Sequence, residues 1–262
     1  MKSSETMLEW ITDVAREAGA MLRAGFRRQR TLNYKNRSEL VTDMDVASER
    51  LIVERIAARF PDHHIITEEG GGRELTSTWQ WLIDPIDGTH NYAHGVPYYA
   101  VSIALLEHGR PAFGVVYDPT HDECFAAGDG PAILNGEPIV VSGVDTIARA
   151  EISTGFPYAA GTRIDNNIAE LAAMVTAFQD LRVMGSAALD LCSVAAGRSD
   201  VYWEPDLKPW DSAAGALVVM RAGGRVSDRY GGPFSPWTPG VLASNGLLHQ
   251  QVLRLLTLND EQ

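Results

Sequence analysis

Apolar residues recur every three or four positions in two segments near the N-terminus, residues 5–28 and residues 43–60. This spacing predicts two amphipathic helices, because side chains three and four positions apart share one face of a helix. Pro61 is expected to end the second helix, since proline disrupts a helix interior. The predicted apolar face of this second helix consists of Val46, Leu51, Ile52, Ile56 and Phe60.

Shorter apolar runs, separated by turn residues, fill the middle of the chain. The run at residues 79–83 is expected to end at Asp84 and Pro85, since proline cannot donate a ladder hydrogen bond. Because the turns between the later runs are short, the strands are expected to pair antiparallel. These predicted strands are residues 98–106, 112–117, 123–127 and 139–142.

After residue 150, β-like runs alternate with segments of helical spacing. The predicted strands are residues 151–153, 181–184, 201–203 and 224–227. The predicted helices are residues 166–180, 186–196, 211–222 and a last one from residue 246. This alternation indicates a sheet with helices layered on it. We expect one domain, residues 1–262, with an N-terminal half of about residues 1–145 and a C-terminal half of about residues 146–262.

The composition and net charge of the chain indicate which ligands and which cellular compartment to expect. The chain has 262 residues, a formal net charge of −12 and a sequence pI near 5.0. Such an acidic surface argues against nucleic acid as the main ligand, because phosphate backbones bind basic surfaces. Cys124 and Cys192 lack metal or redox spacing, so we expect buried, reduced thiols in a cytoplasmic protein. We expect neither a signal peptide nor a membrane-spanning segment.

Two aspartates lie on one sharp turn after an apolar run. Asp84 ends the run, Asp87 follows three residues later, and Gly88 and Thr89 allow a tight turn into a helix. Two carboxylates on one turn can converge on a hard divalent cation, which prefers oxygen ligands. The backbone N–H groups of Gly88 and Thr89 would then face a phosphate. The plainer alternative is that Asp84 ends a strand and Asp87 caps the next helix.

Two further acidic stretches fit the same site. Glu68 and Glu69 precede three glycines at residues 70–72, which predicts a mobile flap over a site. Asp211 begins a predicted helix whose first turn has small residues, so the positive end of the helix dipole could approach an anion closely. The alternatives are a plain exposed turn for the first stretch and a simple helix cap for the second.

These motifs resemble the signatures of the inositol monophosphatase family. Residues 81–91 (WLIDPIDGTHN) are similar to the first signature and residues 210–224 (WDSAAGALVVMRAGG) to the second. Residues 40–45 resemble a third motif of the family, and residues 67–69 resemble its acidic loop. Residues 185–191 look most like bacterial inositol-1-monophosphatases. The likeness runs in the family's order over essentially the whole chain.

The resemblance implies a fold and a reaction. The fold is of the α/β (α+β) class, a five-layered αβαβα sandwich with the active site where its two halves meet. The reaction is the hydrolysis of an inositol monophosphate by a metal-activated water, with two to three Mg²⁺ ions as cofactor. Asp84 would bridge two of the ions, and a third ion would lie near Glu68. The implied metal ligands are Glu68, Asp84, the Ile86 carbonyl, Asp87 and Asp211.

The resemblance also implies which residues handle water and substrate. Thr89, hydrogen-bonded to Asp45, would orient the attacking water. The implied catalytic residues are Asp45, Glu68 and Thr89. Lys35 resembles a lysine near the family's active site, whereas we expect the side chain of His90 to point away from it. Glu204, expected at a strand end, can accept hydrogen bonds from two ring hydroxyls. The implied substrate-binding residues are Asp87, Gly88, Thr89, Gly185, Ala187 and Glu204.

The resemblance also predicts the assembly, an inhibitor and the substrate class, and two alternative functions stand beside it. The resemblance implies a homodimer, inhibition by Li⁺ and a small phosphorylated polyol as substrate, without a nucleic-acid or membrane partner. One alternative keeps the chemistry but acts on histidinol phosphate, fructose 1,6-bisphosphate or a 3′-phosphonucleotide. The other is an interaction protein with weak or vestigial phosphatase activity. The complete set of acidic candidates disfavours this second alternative.

Overall fold

The computed structural model describes residues 6–26, 32–34, 40–157, 161, 166–238 and 240–257. Its first two helices each begin with a capping box, formed by Thr6 with Glu9 and by Thr42 with Asp45. These caps satisfy backbone N–H groups that a helix start leaves without partners. The helices are α1 (Met7–Gly25), α2 (Asp43–Arg59), α3 (Thr89–His94), α4 (Ile168–Val175), α5 (Ala187–Ala195), α6 (Pro209–Arg221) and α7 (His249–Thr257).

The N-terminal half contains a seven-stranded sheet and a small hairpin. The hairpin pairs β1 (Leu32–Tyr34) with β2 (Leu40–Thr42). In chain order the sheet contains β3 (His64–Thr67), β4 (Trp79–Asp87), β5 (Ala100–Glu107), β6 (Arg110–Asp118), β7 (Glu123–Ala127), β8 (Ile133–Leu134) and β9 (Glu137–Pro138). The strands lie side by side in that same order. Only the pairing of β3 with β4 is parallel among these described strands, so the predicted antiparallel meander is confirmed.

The C-terminal half contains a mixed five-stranded sheet. Its strands are β10 (Glu151–Thr154), β11 (Asp180–Arg182), β12 (Val201–Glu204), β13 (Arg225–Ser227) and β14 (Val241–Ser244). They lie in the order β11–β10–β12–β14–β13. The first three run parallel, and β14 is antiparallel to both of its neighbours. The predicted alternation of strands and helices is therefore confirmed, with β14 as a strand that the sequence pattern did not predict.

Helices and sheets alternate in five layers, as the resemblance implied. Helices α1 and α2 cover one face of the first sheet, where Ile11 is fully buried. Helices α5 and α6 lie between the two sheets, and Leu217 belongs to the core they share with both. Helices α4 and α7 cover the outer face of the second sheet, where Val252 is fully buried. The αβαβα sandwich follows from three apolar cores stacked in this way.

The predicted strand at residues 139–142 was wrong. The backbone N–H of Ile139 donates to Ala132 at 3.0 Å, and that of Val141 donates to Ala222 at 3.1 Å. Because these bonds go to two different parts of the chain, the segment cannot form a ladder with one neighbour. The first sheet is extended by β8 and β9 instead.

The prediction that Pro85 ends its strand was also wrong. Strand β4 continues to Asp87, and its pairing shifts from Asp84 opposite Ser102 to Asp87 opposite Ala100. The bulged strand thus has one more residue than its partner over this interval. A bulge interrupts the ladder, so Pro85 needs no N–H there. The bulge also changes the direction of the side chains that follow it, including that of Asp87.

The apolar face predicted for α2 is partly wrong. Val46 is 56% exposed, whereas Ile52 and Ile56 are fully buried. The buried positions near the start of α2 are instead polar, with Asp45 and Ser48 both fully buried. The first turns of this helix therefore pack against polar groups, and only its later turns pack against the apolar core.

A buried histidine in the second half gives a testable pH dependence. The two ring nitrogens of His249 lie 2.9 Å from Ser244 Oγ and 3.0 Å from Ser227 Oγ, and the residue is fully buried. Burial, assisted by the charge of Arg225, lowers the pKa of His249 to about 4. Between pH 6.5 and 4 the unfolded chain therefore binds a proton that the folded chain does not, and stability falls as pH falls.

We expect His249→Gln to remove this contribution, which reaches about 3 kcal/mol at the acid end of the window. Urea unfolding at a series of pH values between 7.5 and 4.5 measures it. Other acidic groups titrate in both proteins, so the informative quantity is the difference between the two pH profiles. Parallel profiles for wild type and variant would contradict the assignment of a neutral buried imidazole.

Candidate active site

A cavity of about 650 Å³ opens between the two halves of the molecule. It is bordered by the ends of β3, β4 and β12 and by the N-terminal ends of α3 and α6. Asp45 lies behind Thr89, and Lys35 lies outside the described residues. The predicted site residues that line the cavity are Glu68, Asp84, Ile86, Asp87, Gly88, Thr89, Gly185, Ala187, Glu204 and Asp211.

The bulge in β4 places two aspartates on the cavity wall. The backbone N–H of Ile86 donates to Asp84 Oδ1 at 3.0 Å, which holds that carboxylate against its own turn. Asp87 ends the strand, and Gly88 follows with a φ of 91°, a left-handed conformation that side chains disfavour. A Cβ at Gly88 would also lie 3.0 Å from the Tyr98 carbonyl oxygen and 3.1 Å from that of Gly185. Glycine is therefore required at this point of the turn.

Asp87 joins the two halves at the site. Its Oδ2 accepts hydrogen bonds from the hydroxyl of Ser186 and, at 2.9 Å, from the backbone N–H of Ala188. Both donors belong to the start of α5, where positive N–H groups are concentrated. Asp87 is thus not the cap of the helix that follows it, which has Gly88 at its N-cap position. Instead it anchors a helix of the other half beside the cavity.

Asp211 reaches the cavity from the first turn of α6. The backbone N–H of Lys208 donates to Asp211 Oδ2 at 2.8 Å, which closes the helix start. In Asp211, as in Asp87, one carboxylate oxygen accepts a hydrogen bond from a backbone N–H. Such bonds fix the orientation of the carboxylates without a counter-charge. Both groups also line the cavity.

Glu68 enters from the first half, directly after β3. Its backbone N–H donates to the Ile83 carbonyl oxygen at 3.2 Å, so parallel pairing of β3 with β4 places it beside the two aspartates. The loop that follows is anchored at its far side by the backbone pairing of Ile65 with Arg73. The predicted mobility of residues 70–72 stays a prediction.

The carboxylates of this cavity raise each other's pKa values. Burial raises the pKa of Asp84 well above its usual range, and the charges of its acidic neighbours raise it further, with Glu68 within hydrogen-bonding reach. The pKa of Asp211 is raised by burial first and then by Asp87 and Glu68. Burial also raises the pKa of Asp87, to about 6. Carboxylates concentrated in this way create a field that favours a hard cation.

The donor set suits a hard divalent cation. The carboxylates of Glu68, Asp84, Asp87 and Asp211 supply oxygen donors, and His90 is the one histidine among the described lining residues. Among the described residues that line the cavity, Lys208 is the only lysine or arginine. In the described part of the chain, no three His, Cys, Asp or Glu side chains lie so that they could hold a metal ion by themselves. The residues therefore fit cations that keep several other ligands, such as water or phosphate oxygens.

Thr89 and Asp45 form a hydrogen-bonded pair at the edge of the cavity. The hydroxyl of Thr89 lies 3.1 Å from Asp45 Oδ1 and 2.9 Å from the Ile86 carbonyl oxygen. Asp45 Oδ2 accepts from the backbone N–H and the hydroxyl of Thr42. Burial raises the pKa of Asp45, while these hydrogen bonds oppose the rise. The pair can hold the Thr89 hydroxyl with its lone pairs toward the cavity.

A further part of the cavity wall comes from the C-terminal half and carries the residues predicted to meet a polyol. Glu204 ends β12, and the hydroxyl of Tyr202 donates to its Oε2. An added Cβ at Gly155 would lie 2.1 Å from that same oxygen, so the carboxylate fills the space a side chain would need. Burial raises the pKa of Glu204 to about 7. Gly185 and Ala187 complete this wall.

Most of the apolar lining of the cavity was not predicted from the sequence. His90 borders the cavity with its ring stacked on His94, and the expectation that its side chain points away stays a prediction. Signals for the apolar residues were weak, because isolated aromatic and aliphatic residues usually belong to a core. The missed lining residues include Phe156, Pro157, Val183, Leu207 and Trp210.

A second, smaller cavity of about 180 Å³ borders Tyr98. Its charged groups already pair with one another, since Arg198 binds Glu123 with two hydrogen bonds and His121 binds Asp118. Such satisfied ion pairs offer little to a ligand. We therefore assign the candidate chemistry to the larger cavity.

Comparisons with known proteins point to one family. The family model described as "Inositol monophosphatase family" matches residues 3–260. An inositol-1-monophosphatase of Synechocystis sp. is 40% identical over 255 residues, 96% of this chain and 89% of that protein. Nus factor SuhB of Pasteurella multocida is 44% identical over 231 residues, 86% of each chain. The structure of inositol monophosphatase from Anabaena (Nostoc) sp. matches with a TM-score of 0.88 and 40% identity, covering 96% of this chain and 95% of its own.

Proposed function

The chain belongs to the inositol monophosphatase family, and on that premise we propose that it is a phosphatase that hydrolyses inositol monophosphate to inositol and phosphate. One observation carries the proposal: Glu68, Asp84, Asp87 and Asp211, from three distant stretches, line one cavity together with Thr89. A phosphate monoester dianion repels hydroxide, so its charge must be neutralised before attack. A cavity of clustered carboxylates can meet that need by holding cations.

We propose Mg²⁺ as the cation, in two to three sites. Glu68, Asp84 and the Ile86 carbonyl would hold one ion, with a third ion near Glu68. Asp87 and Asp211 would hold another together with Asp84. When bound, Mg²⁺ supplies charge neutralisation and lowers the pKa of a bound water. The hard oxygen donor set described above supports this choice.

The remaining roles belong to the chain's own residues. The Thr89 hydroxyl donates a hydrogen bond to Asp45, so its lone pairs accept a hydrogen bond from the attacking water and fix the direction of that water. The backbone N–H groups of Gly88 and Thr89 hold the phosphate at the start of α3. Gly185, Ala187 and Glu204, all from the C-terminal half, bind the polyol beside Asp87 and Gly88. The reaction thus occurs where the two halves meet.

An interaction protein that has lost catalysis is the alternative from another class. One relative carries the name Nus factor, which does not describe a phosphatase. A degenerate site would lack some of the acidic residues or the Thr89–Asp45 pair, whereas all of them are in place here. This favours the enzyme, and a folded surface can bind a partner without disturbing the site.

A phosphate-release screen with and without Mg²⁺ tests the proposed function. It compares inositol 1-phosphate with histidinol phosphate, fructose 1,6-bisphosphate and a 3′-phosphonucleotide. We expect Mg²⁺-dependent release that is fastest with inositol 1-phosphate. Release that is fastest with another substrate would reassign the pocket within the same chemistry. Absence of release from every substrate at saturating Mg²⁺ would contradict a phosphatase.

Glu204→Gln tests the polyol wall. Gln keeps the size of the side chain but replaces one acceptor oxygen with an amide donor, so it cannot accept from Tyr202 and from the substrate hydroxyls with both of its terminal atoms. We expect KM for inositol 1-phosphate to rise about tenfold, which corresponds to about 1.4 kcal/mol of binding, with little change in kcat. Hydrolysis of a phosphate ester without a polyol, such as p-nitrophenyl phosphate, serves as the control and should not change. An equal loss with both substrates would remove Glu204 from the polyol pocket.

We extend the proposal to assembly, inhibition and location. A homodimer and inhibition by Li⁺ follow from the family resemblance, and a cytoplasmic location follows from the two cysteines. Two buried free cysteines agree with a reducing compartment. Within the residues that the structure describes, the helices are too short or too polar for a membrane span. Sedimentation equilibrium and a Li⁺ titration of phosphate release test the first two points.

A further inference from the structure

The buried face of α2 changes from polar to apolar along the helix. Asp45, Ser48 and Glu49 are 0%, 0% and 4% exposed, and they precede the buried Ile52 and Ile56 on the same face. Positions three and four apart share a helix face, so these polar groups form one continuous stripe. Burying polar groups costs free energy unless they are hydrogen-bonded. Each member of the stripe is therefore expected to hold a specific partner.

Each of these side chains holds a different part of the active site. Asp45 accepts from the hydroxyl of Thr89, as described above. The hydroxyl of Ser48 donates to the carbonyl oxygen of Pro85 at 3.2 Å, inside the β4 bulge. Glu49 accepts from the loop that follows Glu68. One helix thus holds two segments of the site, the loop after β3 and the turn that runs from the β4 bulge to the start of α3.

Glu49 binds that loop with both of its carboxylate oxygens. Oε2 accepts from the backbone N–H of Glu69 at 2.8 Å, and Oε1 accepts from that of Gly71 at 2.7 Å. A Cβ at Gly71 would lie 2.5 Å from Oε1, so the carboxylate approaches the loop too closely for a side chain. Charge-assisted hydrogen bonds of this kind are among the strongest in proteins.

The clamp fixes the backbone on both sides of Glu68. On one side the N–H of Glu68 donates to the carbonyl oxygen of Ile83 at 3.2 Å. On the other side the N–H of the next residue, Glu69, donates to Glu49. Because the peptide groups before and after Glu68 are held in place, the Cα–Cβ bond of Glu68 has a fixed position and direction. This is the arrangement expected for a residue that supports a metal ligand.

We propose that Glu49 is a positioning residue, which holds Glu68 at the distance from Asp84 that cation binding requires. The inference rests on the proposed function, because it takes Glu68 as a metal ligand. Asp45 and Ser48 position the Thr89 hydroxyl and the β4 bulge from the same helix face. The polar stripe of α2 thereby sets the relative placement of three parts of the site.

Glu49→Gln tests the clamp. Gln offers one acceptor oxygen, and its amide group presents a donor to the second backbone N–H, so one bond is lost. In the metal-free protein we expect amide hydrogen exchange at Glu69 and Gly71 to become about tenfold faster or more. The Mg²⁺ concentration that gives half of the thermal stabilisation should rise about tenfold. At saturating Mg²⁺, kcat should stay within about threefold of wild type.

Two controls separate positioning from a loss of folding. Glu54→Gln makes the same change on the same helix, at an exposed side chain that pairs with Arg50, and should alter none of these quantities. Gly71→Ala displaces the Glu49 carboxylate without changing any charge and should reproduce the higher Mg²⁺ requirement. Gly130→Ala, where an added Cβ meets nothing within 4 Å, is its matched control.

The outcomes distinguish this inference from the proposed function. If wild type gains no thermal stability from Mg²⁺, the proposed metal site is wrong and the positioning role falls with it. If wild type responds to Mg²⁺ but neither Glu49→Gln nor Gly71→Ala changes the half-stabilising concentration, only the positioning role of Glu49 is overturned. A lower kcat at saturating Mg²⁺ with an unchanged Mg²⁺ requirement would also overturn it.

Discussion

Replacing Asp84 with Asn is expected to abolish turnover and to leave the protein folded. Asp84 lies at the centre of the acidic cluster, and in the proposed site it is shared by two cations. Asn keeps the shape of the side chain but loses the charge that draws those cations in. We expect kcat to fall about a thousandfold or more, which corresponds to about 4 kcal/mol of transition-state stabilisation. A phosphate-release assay at saturating Mg²⁺ measures the loss.

Asp84→Asn should abolish activity, but it should not lower the thermal stability of the metal-free protein. Without metal, burial and then the charges of the acidic neighbours disfavour the ionised carboxylates and raise the pKa values of Asp84 and Asp211. Asp84→Asn should therefore melt at or above the temperature of metal-free wild type, and it should gain little stability from Mg²⁺. Asp129→Asn, an exposed aspartate, is the matched control and should retain activity and the Mg²⁺ response. Activity of Asp84→Asn above a tenth of wild type would contradict the proposed role.

Replacing Thr89 with Val is expected to lower kcat about a hundredfold to a thousandfold, because a positioned proton acceptor contributes a factor of that size. Val matches the shape of Thr but lacks the hydroxyl that Asp45 and the Ile86 carbonyl share. The metal ligands are untouched, so the half-stabilising Mg²⁺ concentration should change little. Stopped assays at saturating substrate and Mg²⁺ separate kcat from binding.

Thr89→Ser provides the matched control, because it keeps the hydroxyl and removes only a methyl group. We expect it to retain most of the activity. Asp45→Asn should show a loss comparable to that of Thr89→Val, since Asn can donate to Thr89 and reverse the direction of their hydrogen bond. A Thr89→Val variant with nearly normal kcat would show that the attacking water is oriented by other groups.

The order of helices and strands was predictable because its pattern is local and repeated, whereas the five-layered arrangement was implied by the family resemblance. The helical spacing of α1 and the strand–helix alternation after residue 150 each specify an element from neighbouring residues alone. The strand β14 was missed, since it is a four-residue run after a loop rich in glycine and proline. The segment 139–142 was taken as a strand because its composition fits one, but no single neighbour pairs with it. Pairing partners depend on contacts that a local pattern does not contain.

The acidic side of the site was predictable for a different reason. Asp84 and Asp87 belong to the end of an apolar run and Asp211 to a predicted helix start, and the resemblance to the family's signatures assigned them to one site. The groups that hold them in place carry no such signal. Ser186 looks like an ordinary helix cap, and Glu49 looks like a surface glutamate on an amphipathic helix. Their roles depend on which distant segment the fold brings against them, so only the three-dimensional structure reveals them.

Diffraction from crystals grown with Mn²⁺, a close substitute for Mg²⁺ with a measurable anomalous signal, tests the shared cation site most directly. We predict at least two anomalous peaks about 4 Å apart, one between Glu68 and Asp84 and the other between Asp84, Asp87 and Asp211. Peaks that lie elsewhere, or none in crystals of an enzyme that Mn²⁺ activates, would contradict a reaction centred on these carboxylates.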